Sequence, residues 1–378
     1  MSIKSGFFLK SLHILHSESA SGWGGQEIRV FQESELLLEQ GHRVSIICQP
    51  DSFLWKKCQT VGSSNFNCHP LQMKNPANPF SFSAVLRILK KTKPDIVHTH
   101  SSIDSWLVGS ASRLLGLPVV RSRHISIPIK GAFPNNLLYS QIPRKIITSG
   151  EAISEIVKSV SGVKTQNVKS ISAGVDFRKF DFNTDGRKIR DELGVKPGQH
   201  LVGKIGVIRG WKGYDYLLEA APLVLEKHPE TRFVFVGRGP GFEQTQSIAR
   251  SLGLEKDLTL LGHRDDIPEI MAGLDIQVLA SFTGEGTPQV IPQAFAMKTP
   301  LVATRVGSVP QLLGNGERGV LVEPKNAVDL ANGILKLMEN PEMRNEFAEK
   351  GYVFCKNELG IDRMINETIS VYEEALEA

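Results

Sequence analysis

Hydrophobic and polar residues alternate along this chain with two periods that follow one another repeatedly. Short apolar runs such as residues 43–48 are separated by longer stretches with a helical period, such as residues 26–40, which end at Gly41. Strands that alternate with helices in this way predict a parallel sheet with helices on both faces. In the first half the predicted strands cover residues 12–16, 43–48, 95–100, 119–124 and 145–149, and the predicted helices cover 26–40, 82–91 and 103–115.

The same alternation begins again near residue 200. The chain is therefore predicted to fold as two Rossmann-like, doubly wound α/β domains that face a central cleft. Residues 50–80 contain four prolines and are predicted to be irregular, forming loops over the cleft. In the second half the predicted strands cover residues 200–207, 232–236, 258–261, 275–280, 300–304 and 319–322, and the predicted helices cover 214–227, 242–252, 327–338, 342–357 and 361–377.

The joint between the two domains is predicted within residues 173–183, where Gly174 and two phenylalanines interrupt the alternation. We expect residues 1–175 to form an N-terminal domain and residues 176–357 to form a C-terminal domain. Residues 358–378 are expected to form a last helix, for which packing against the N-terminal domain is one option.

Composition indicates a globular protein with two cores. The chain has 378 residues, of which 41% are hydrophobic and 22% are charged, and this length favours two domains. Its four cysteines form no C-x-x-C pair, so neither a zinc site nor a disulfide framework is predicted. With no apolar run of about 18 residues or more, we expect a cytoplasmic protein.

Charge is distributed unevenly along the chain. The first 175 residues carry 20 lysines and arginines against 10 acidic residues, although the whole chain has a net charge of only +4. A basic face of this kind favours phosphates or anionic lipid headgroups, so peripheral contact with the inner face of a membrane is one interpretation. A solvated, lysine-rich surface is the other. Nucleic acid is not predicted as a partner, because no aromatic-interleaved RNA-binding motif is present.

Ligands of doubly wound sheets bind where strands end, so the loops that follow strands are the candidate sites. Gly24 and Gly25 precede the first predicted helix and would let a backbone approach a phosphate or sugar oxygen. His100 ends the third strand and has the chemistry to hydrogen-bond a sugar hydroxyl, whereas His98 is better explained as a core histidine. Three further basic residues at the end of the next strand would face either an anionic acceptor or solvent: Arg121, Arg123 and His124.

Two loops of the second half carry the clearest chemistry. Arg209 and Lys212 place two positive charges on a glycine-rich turn between a strand and a helix, which suits a diphosphate. Farther along, Glu285 precedes a predicted helix start with Thr287 as N-cap and Pro288 at the first helical position. Pro292 would then cost that helix a hydrogen bond, so the helix is either kinked or begins later.

At these residues the chain resembles the retaining glycosyltransferases of the GT-B fold, specifically the family 4 type. The shared features are a glycine-rich loop after the first strand, a histidine after the third, a basic loop ending in Lys-Gly, and the first glutamate of the family's Glu-x7-Glu element at a late helix. The resemblance implies a nucleoside-diphosphate sugar as donor and a saccharide or lipid-linked acceptor, in synthesis of cell-surface polysaccharide or lipopolysaccharide. It also implies that residues 1–175 are the acceptor-side domain and residues 176–357 the nucleotide-sugar-binding domain. It assigns catalytic roles to His100, Arg209, Lys212 and Glu285, and donor-binding roles to Gly24, Gly25, Arg264, Thr287, Pro288, Gln289 and Gln293.

This chain departs from the family pattern at two positions. The arginine of the family stands five residues before the lysine, where this chain has Val207, so Arg209 would have to reach the diphosphate instead. The second glutamate is replaced by Gln293, whose amide has one acceptor and one donor group for the ribose hydroxyls. The resemblance therefore implies weakened ribose binding.

No metal or cofactor is expected in the reaction. The other main glycosyltransferase fold binds its diphosphate through a metal on an Asp-x-Asp element, and this sequence has no two aspartates with that spacing. Protein cations would replace the metal. A Rossmann dehydrogenase is disfavoured because the glycines of residues 22–25 and 237–241 lack the G-x-G-x-x-G spacing. A sugar-nucleotide epimerase and a non-catalytic nucleotide-sugar-binding protein remain as alternatives.

Overall fold

The computed structural model describes residues 11–129 and 133–378. Within them, the first half of the chain forms one parallel sheet of seven strands in the order β3-β2-β1-β4-β5-β6-β7. These strands are β1 His13–Glu18, β2 Arg43–Cys48, β3 Phe66–Pro70, β4 Ile96–Thr99, β5 Val119–Arg123, β6 Lys145–Thr148 and β7 Val168–Ser170.

The second half forms a parallel sheet of six strands in the order β10-β9-β8-β11-β12-β13. Both sheets thus reverse their strand order once, between β1 and β4 and between β8 and β11, which is the Rossmann arrangement. The strands are β8 Leu201–Ile205, β9 Arg232–Val236, β10 Leu258–Gly262, β11 Ile276–Leu279, β12 Leu301–Thr304 and β13 Val320–Val322.

Helices cover both faces of each sheet, as the sequence pattern predicts. A π-helical stretch, Ser105–Gly109, joins the short helices α4 and α5. The helices are α1 Gly25–Glu39, α2 Phe53–Cys58, α3 Pro79–Thr92, α4 Ser102–Asp104, α5 Ser110–Leu114, α6 Leu137–Ser140, α7 Glu151–Lys158, α8 Arg187–Glu192, α9 Tyr214–Lys227, α10 Phe242–Ser251, α11 Ile267–Gly273, α12 Val290–Ala296, α13 Val309–Leu312, α14 Ala327–Met338, α15 Pro341–Glu358 and α16 Ile361–Glu377.

The prediction that residues 50–80 are irregular is wrong in part, because this segment contains α2 and β3. Strand β3 lies at the edge of the sheet and is only half-buried, so it lacks the continuous apolar run of an inner strand. Helix α2 has six residues, which is too short for a helical period to stand out in the sequence. Other short elements that the pattern did not predict are β7, α6, α7, α8, α11 and α13.

The chain passes between the two sheets twice, and the two crossings lie side by side. The backbone N–H of Val175 donates to the Leu359 carbonyl at 2.8 Å, and that of Ile361 donates to the Val175 carbonyl at 3.0 Å. After the second crossing, α16 packs on the first sheet, where the fully buried Tyr372 joins the core around Ile14 and Val120. Residues from both ends of the chain therefore build the first core.

None of the helices in the described part of the chain combines the length and the apolar character needed to cross a lipid bilayer.

Candidate active site

Two loops of the second sheet meet because of its strand order. The loop after β8 and the loop after β11 leave the sheet from neighbouring strands at the point where the order reverses, and both leave from the carboxyl ends. The backbone N–H of Phe282 donates to the Trp211 carbonyl at 3.0 Å, which ties the two loops together. The predicted diphosphate-binding and sugar-binding residues lie in these two loops.

The centre of this site is an ion pair between Lys212 and Glu285. The Lys212 ammonium donates to Glu285 Oε1 at 2.6 Å, and the Ser281 hydroxyl donates to the same oxygen at 2.6 Å. The Glu285 side chain is only 6% exposed and that of Lys212 is 21% exposed. A buried carboxylate is thus held beside a lysine whose ammonium is open to the cleft.

Gly213 fixes the position of Lys212. Its φ of +68° places it in the left-handed region, and a Cβ added there would lie 1.9 Å from the Ala280 carbonyl oxygen. Glycine is therefore required at this position on both grounds. The turn Gly210–Lys212 is a short 3-10 helix, and its lysine leans over the Trp211 ring at 4.4 Å from the ring centroid.

Arg209 is exposed on the same loop, two residues beyond Val207. Its guanidinium lies 5.7 Å from the centroid of the Trp211 ring. Contact of this side chain with a bound diphosphate stays a prediction.

The late helix begins at Val290, two residues later than the predicted start at Pro288. Thr287 is not the N-cap and Pro288 is not helical; Gln289 takes the N-cap position. Pro292 consequently lies at the third helical position, where a backbone N–H would have no partner within the helix, so the proline costs no hydrogen bond. The Thr287 hydroxyl instead donates to the Ser149 carbonyl of the first domain.

The predicted donor-binding residues Gly25 and Gln289 meet across the cleft. The Gln289 amide donates to the Gly25 carbonyl at 3.1 Å. Gly24 is the N-cap of α1, and its backbone N–H donates to Glu27 Oε2 at 2.7 Å. The glycine loop of the first sheet therefore lies against the start of α12 of the second.

Gln293 is half-buried in the first turns of α12, one helix turn beyond Gln289. Arg264 lies in the loop after β10, where its guanidinium pairs with Glu192 and with Asp266, each at 2.6 Å. These carboxylates raise the pKa of Arg264. A nucleobase beside this loop would meet a cation that is already neutralised.

His100 belongs to a chain of buried imidazoles. Its Nε2 lies 2.9 Å from His16 Nδ1, and its Nδ1 lies 3.3 Å from His124 Nε2. Burial and the neighbouring histidines lower the pKa of His100 well below its ordinary value, so the ring is neutral at physiological pH. Both ring nitrogens of His100 therefore already have a histidine as partner. A sugar hydroxyl would have to displace His124, which is the more distant of the two partners.

His98 is a core histidine, as predicted, because Tyr372 and Ser122 hydroxyls lie 2.7 and 2.8 Å from its two nitrogens. Ligand atoms of His16, Glu33, His98 and His100 lie within 4.8 Å of one another. Arg29 bonds Glu33 at 2.8 Å inside the same core, and its charge opposes a metal ion there. The group is a hydrogen-bond network beneath the cleft.

Arg121 and Arg123, which were predicted to lie on the acceptor side, both donate to the Tyr139 hydroxyl. Arg123 donates to it at 2.8 Å, while Arg121 is buried and stacks 4.5 Å from the ring centroid. Arg123 also lines a cavity of about 310 Å³ together with Trp106 and Leu138. Of the two arginines, Arg123 is therefore the one that an acceptor in this cavity would meet.

Sequence reasoning missed two buried charged residues at the ends of the first strand of each sheet. Lys204 on β8 is 2% exposed, and its ammonium lies 4.6 Å from the centroid of the Tyr214 ring. Glu18 ends β1 fully buried and accepts from the Ala20 backbone N–H at 2.8 Å. Burial first, and then the charges of Asp104 and Glu27, raise its pKa well above the ordinary value. The charge of Lys204 inside the predicted strand 200–207 is visible in the sequence, but its burial is not.

We expect Lys204 to titrate near neutrality. Burial and, second, the charge of Lys212 lower its pKa to about 7, while Glu285 opposes this shift. In ¹⁵N NMR of lysine side chains, one resonance should titrate near pH 7 and be absent from Lys204→Met. Glu285→Gln should lower this pKa further and Lys212→Met should raise it, with the exposed Lys227→Met as control. A Lys204 that titrates above about pH 10, like a free lysine, would contradict this reading of the site.

Comparison with known proteins agrees with this geometry. The family model of glycosyl transferases group 1 matches residues 185–354, and that of glycosyltransferase family 4 matches residues 23–179. The chain is 25% identical to UDP-Gal:alpha-D-GlcNAc-diphosphoundecaprenol alpha-1,3-galactosyltransferase of Escherichia coli, over 88% of this chain and 90% of that protein. It is 22% identical to N-acetyl-alpha-D-glucosaminyl L-malate synthase of Bacillus anthracis, over 93% and 94% respectively.

The fold is also similar to that of solved structures. The crystal structure of Anabaena Alr3699/HepE in complex with UDP and glucose superposes with a TM-score of 0.84 and 19% identity, covering 96% of this chain and all of that one. Two parallel sheets in this arrangement are the GT-B fold. The chain belongs to the group 1, family 4-type glycosyltransferases.

Proposed function

We propose that the protein is a retaining glycosyltransferase that moves a sugar from a nucleoside-diphosphate sugar to a saccharide or lipid-linked acceptor. The observation that carries this proposal is the Lys212–Glu285 pair at the strand-order reversal of the second sheet. Lys212 supplies a cation for a diphosphate, and Glu285 supplies a carboxylate for sugar hydroxyls. One hydrogen bond joins the two side chains. Donors of this class carry these two groups side by side.

The pair also supplies a way to exchange partners on binding. A diphosphate offers Lys212 several anionic oxygens, so the ammonium moves from Glu285 Oε1 to the phosphate. Glu285 keeps its bond from Ser281 and gains acceptor capacity for sugar hydroxyls. Lys212 then stabilises the negative charge that develops on the leaving diphosphate. The charges of Lys212 and Glu285 thereby balance each other until the donor arrives.

Metal independence and retention are parts of the same proposal. Lys212 and Arg209 provide fixed positive charge on the loop after β8, and these two cations would replace a metal. Retention follows if the acceptor attacks from the face that the diphosphate leaves. Such a route needs no side-chain nucleophile, and His100 would then serve to hold a hydroxyl of the transferred sugar.

The donor is proposed to be a uridine diphosphate sugar with a hexosyl group. The E. coli relative is named for a UDP-galactose donor, and the Anabaena structure contains UDP and glucose. Gln293 would meet the ribose from α12, with the residues at the start of that helix closing over the diphosphate. Arg264 would stand beside the base.

The acceptor is proposed to be anionic and to bind near Arg123 and His124. Arg123 lines the cavity of about 310 Å³ in the first domain, and the basic excess of residues 1–175 lies in the same domain. The named acceptors of the two relatives, a diphosphoundecaprenol-linked sugar and malate, are both anionic. We therefore favour a role in cell-surface polysaccharide or lipopolysaccharide synthesis in the cytoplasm.

A lipid-linked acceptor implies peripheral membrane contact, which the basic first domain would support. The protein should float with vesicles that contain anionic lipid at low salt and should be released as salt is raised. Binding to neutral vesicles with equal strength and no salt dependence would contradict this proposal.

Lys212→Ala should lower kcat/KM for the donor by about ten- to a hundredfold, because one charge-assisted hydrogen bond to the diphosphate is lost. The measurement is release of nucleoside diphosphate across a panel of nucleotide sugars, with and without lipid-linked acceptors. Lys227→Ala, exposed at the far end of α9, is the matched control and should leave kcat/KM unchanged.

The same panel distinguishes the alternative functions. A non-catalytic binding protein would bind donors and release no nucleoside diphosphate, and an epimerase would change the sugar without an acceptor. Kinetics unaltered by Lys212→Ala would remove the assignment of the diphosphate site.

Gln293→Glu should strengthen binding of the nucleoside diphosphate by about tenfold, because a carboxylate accepts from ribose hydroxyls more strongly than an amide does. Isothermal titration with UDP measures this change. Titration with a ribose phosphate that lacks uracil is the control, because it shows whether the change depends on the base. Equal or weaker binding by Gln293→Glu would place Gln293 away from the ribose.

A further inference from the structure

Three of the four cysteines come together in the first domain, away from the Lys212–Glu285 pair. Cys48 ends β2, Cys58 ends α2, and Cys68 lies in β3. Their sulfur atoms all lie within 4.8 Å of one another, and Cys48 Sγ is 3.6 Å from Cys68 Sγ. Cys48 and Cys58 are buried and Cys68 is half-buried, so Cys68 is the most exposed of the three.

The sheet register disfavours a disulfide between the two nearest cysteines. Cys68 pairs with Ile46 and Cys48 pairs with Pro70, so the two cysteines are offset by two residues on neighbouring parallel strands. With strands about 4.8 Å apart and a rise of about 3.3 Å per residue, their Cα atoms are about 8 Å apart. Disulfides require Cα separations below about 7 Å.

The spacing suits a metal instead. Three sulfurs at about 2.3 Å from a tetrahedral zinc ion lie about 3.8 Å from one another. The distance between Cys48 Sγ and Cys68 Sγ is already close to this value. No two of the three sulfurs are more than 4.8 Å apart, so Cys58 Sγ needs to move by about 1 Å at most. Thiolates are soft ligands that select zinc or copper(I) over magnesium and calcium.

We propose that Cys48, Cys58 and Cys68 form a structural zinc site with three thiolate ligands and one exchangeable ligand from solvent. Binding of Zn²⁺ forms three Zn–S bonds, and the thiol protons of the three cysteines are released to solvent. These cysteines form no C-x-x-C pair along the chain, so their spacing predicts no zinc site.

The site would add metal–ligand bonds between elements that already share one hydrophobic core. Zinc at this point ties the edge strand β3 and the short helix α2 to the inner strand β2. Helix α2 in turn contacts the glycine loop of the cleft, since the Phe53 backbone N–H donates to the Ser21 carbonyl at 3.4 Å. The ion would thus stabilise the support of that loop while remaining outside the reaction.

The test is titration of the reduced, demetallated full-length protein with Zn²⁺ in competition with a chromophoric chelator. We expect one zinc per chain with a Kd below about 1 μM, and Co²⁺ in its place should give thiolate charge-transfer bands. Cys48→Ser and Cys68→Ser should each weaken zinc binding at least about tenfold. Cys355→Ser, a buried cysteine of the second domain, is the matched control and should bind zinc like the unmodified protein.

Thiol protection gives a second readout that needs no variant. Zinc should slow alkylation of Cys48, Cys58 and Cys68 in the unmodified protein and leave Cys355 unaffected. The proposal is overturned if the unmodified protein binds no zinc at this affinity, or if Cys68→Ser binds as tightly as Cys355→Ser. Recovery of a disulfide between any two of the three cysteines, from protein purified without oxidant, would also overturn it.

Discussion

The geometry of the whole site depends on the reversal of strand order between β8 and β11. At this point two neighbouring parallel strands send their chains to opposite faces, and the space between their carboxyl ends is left open. The loops that begin there carry Lys212 and Glu285, which face each other at 2.6 Å. Without this reversal, the two residues would lie on separate parts of the sheet edge and could not share one ligand.

Close backbone packing completes the cleft from the first domain. A Cβ added at Gly286 would lie 2.3 Å from Ser149 Oγ, and one added at Gly150 would lie 2.2 Å from Ser308 Oγ. These glycines let the loops after β11 and β12 touch the loop after β6 directly. The Gln289–Gly25 and Thr287–Ser149 hydrogen bonds add polar contacts to this closed arrangement. Residue size at the interface therefore governs how closely the domains approach.

Much of the fold was readable from the sequence, because long amphipathic helices and buried β-branched strands leave clear periods. The loops of Lys212 and Glu285 were found for the same reason, since each follows a strand that the pattern predicts. Edge strand β3 and helix α2 were missed because short, half-buried elements leave no such period. The start of α12 was placed too early, since Thr287 has N-cap chemistry and only the structure shows its bond across the cleft.

Residues whose role depends on distant parts of the chain were beyond sequence reasoning. In the sequence, Lys204 is an ordinary polar residue of a strand. Only the structure shows that burial and the nearby Lys212 lower its pKa. The imidazole chain through His16, His100 and His124 requires three strands to be placed side by side. The cysteine cluster likewise requires the register of β2 on β3. In each case the signal is a contact, which spacing along the chain does not encode.

The central claim is that Lys212 leaves Glu285 to bind a donor diphosphate, and a crystal structure of the protein with bound UDP tests it most directly. The account predicts a diphosphate oxygen within hydrogen-bonding distance of the Lys212 ammonium, the ribose beside Gln293, and the Glu285 carboxylate free toward the sugar position. A diphosphate bound elsewhere, with the Lys212–Glu285 pair intact at its present distance, would contradict it.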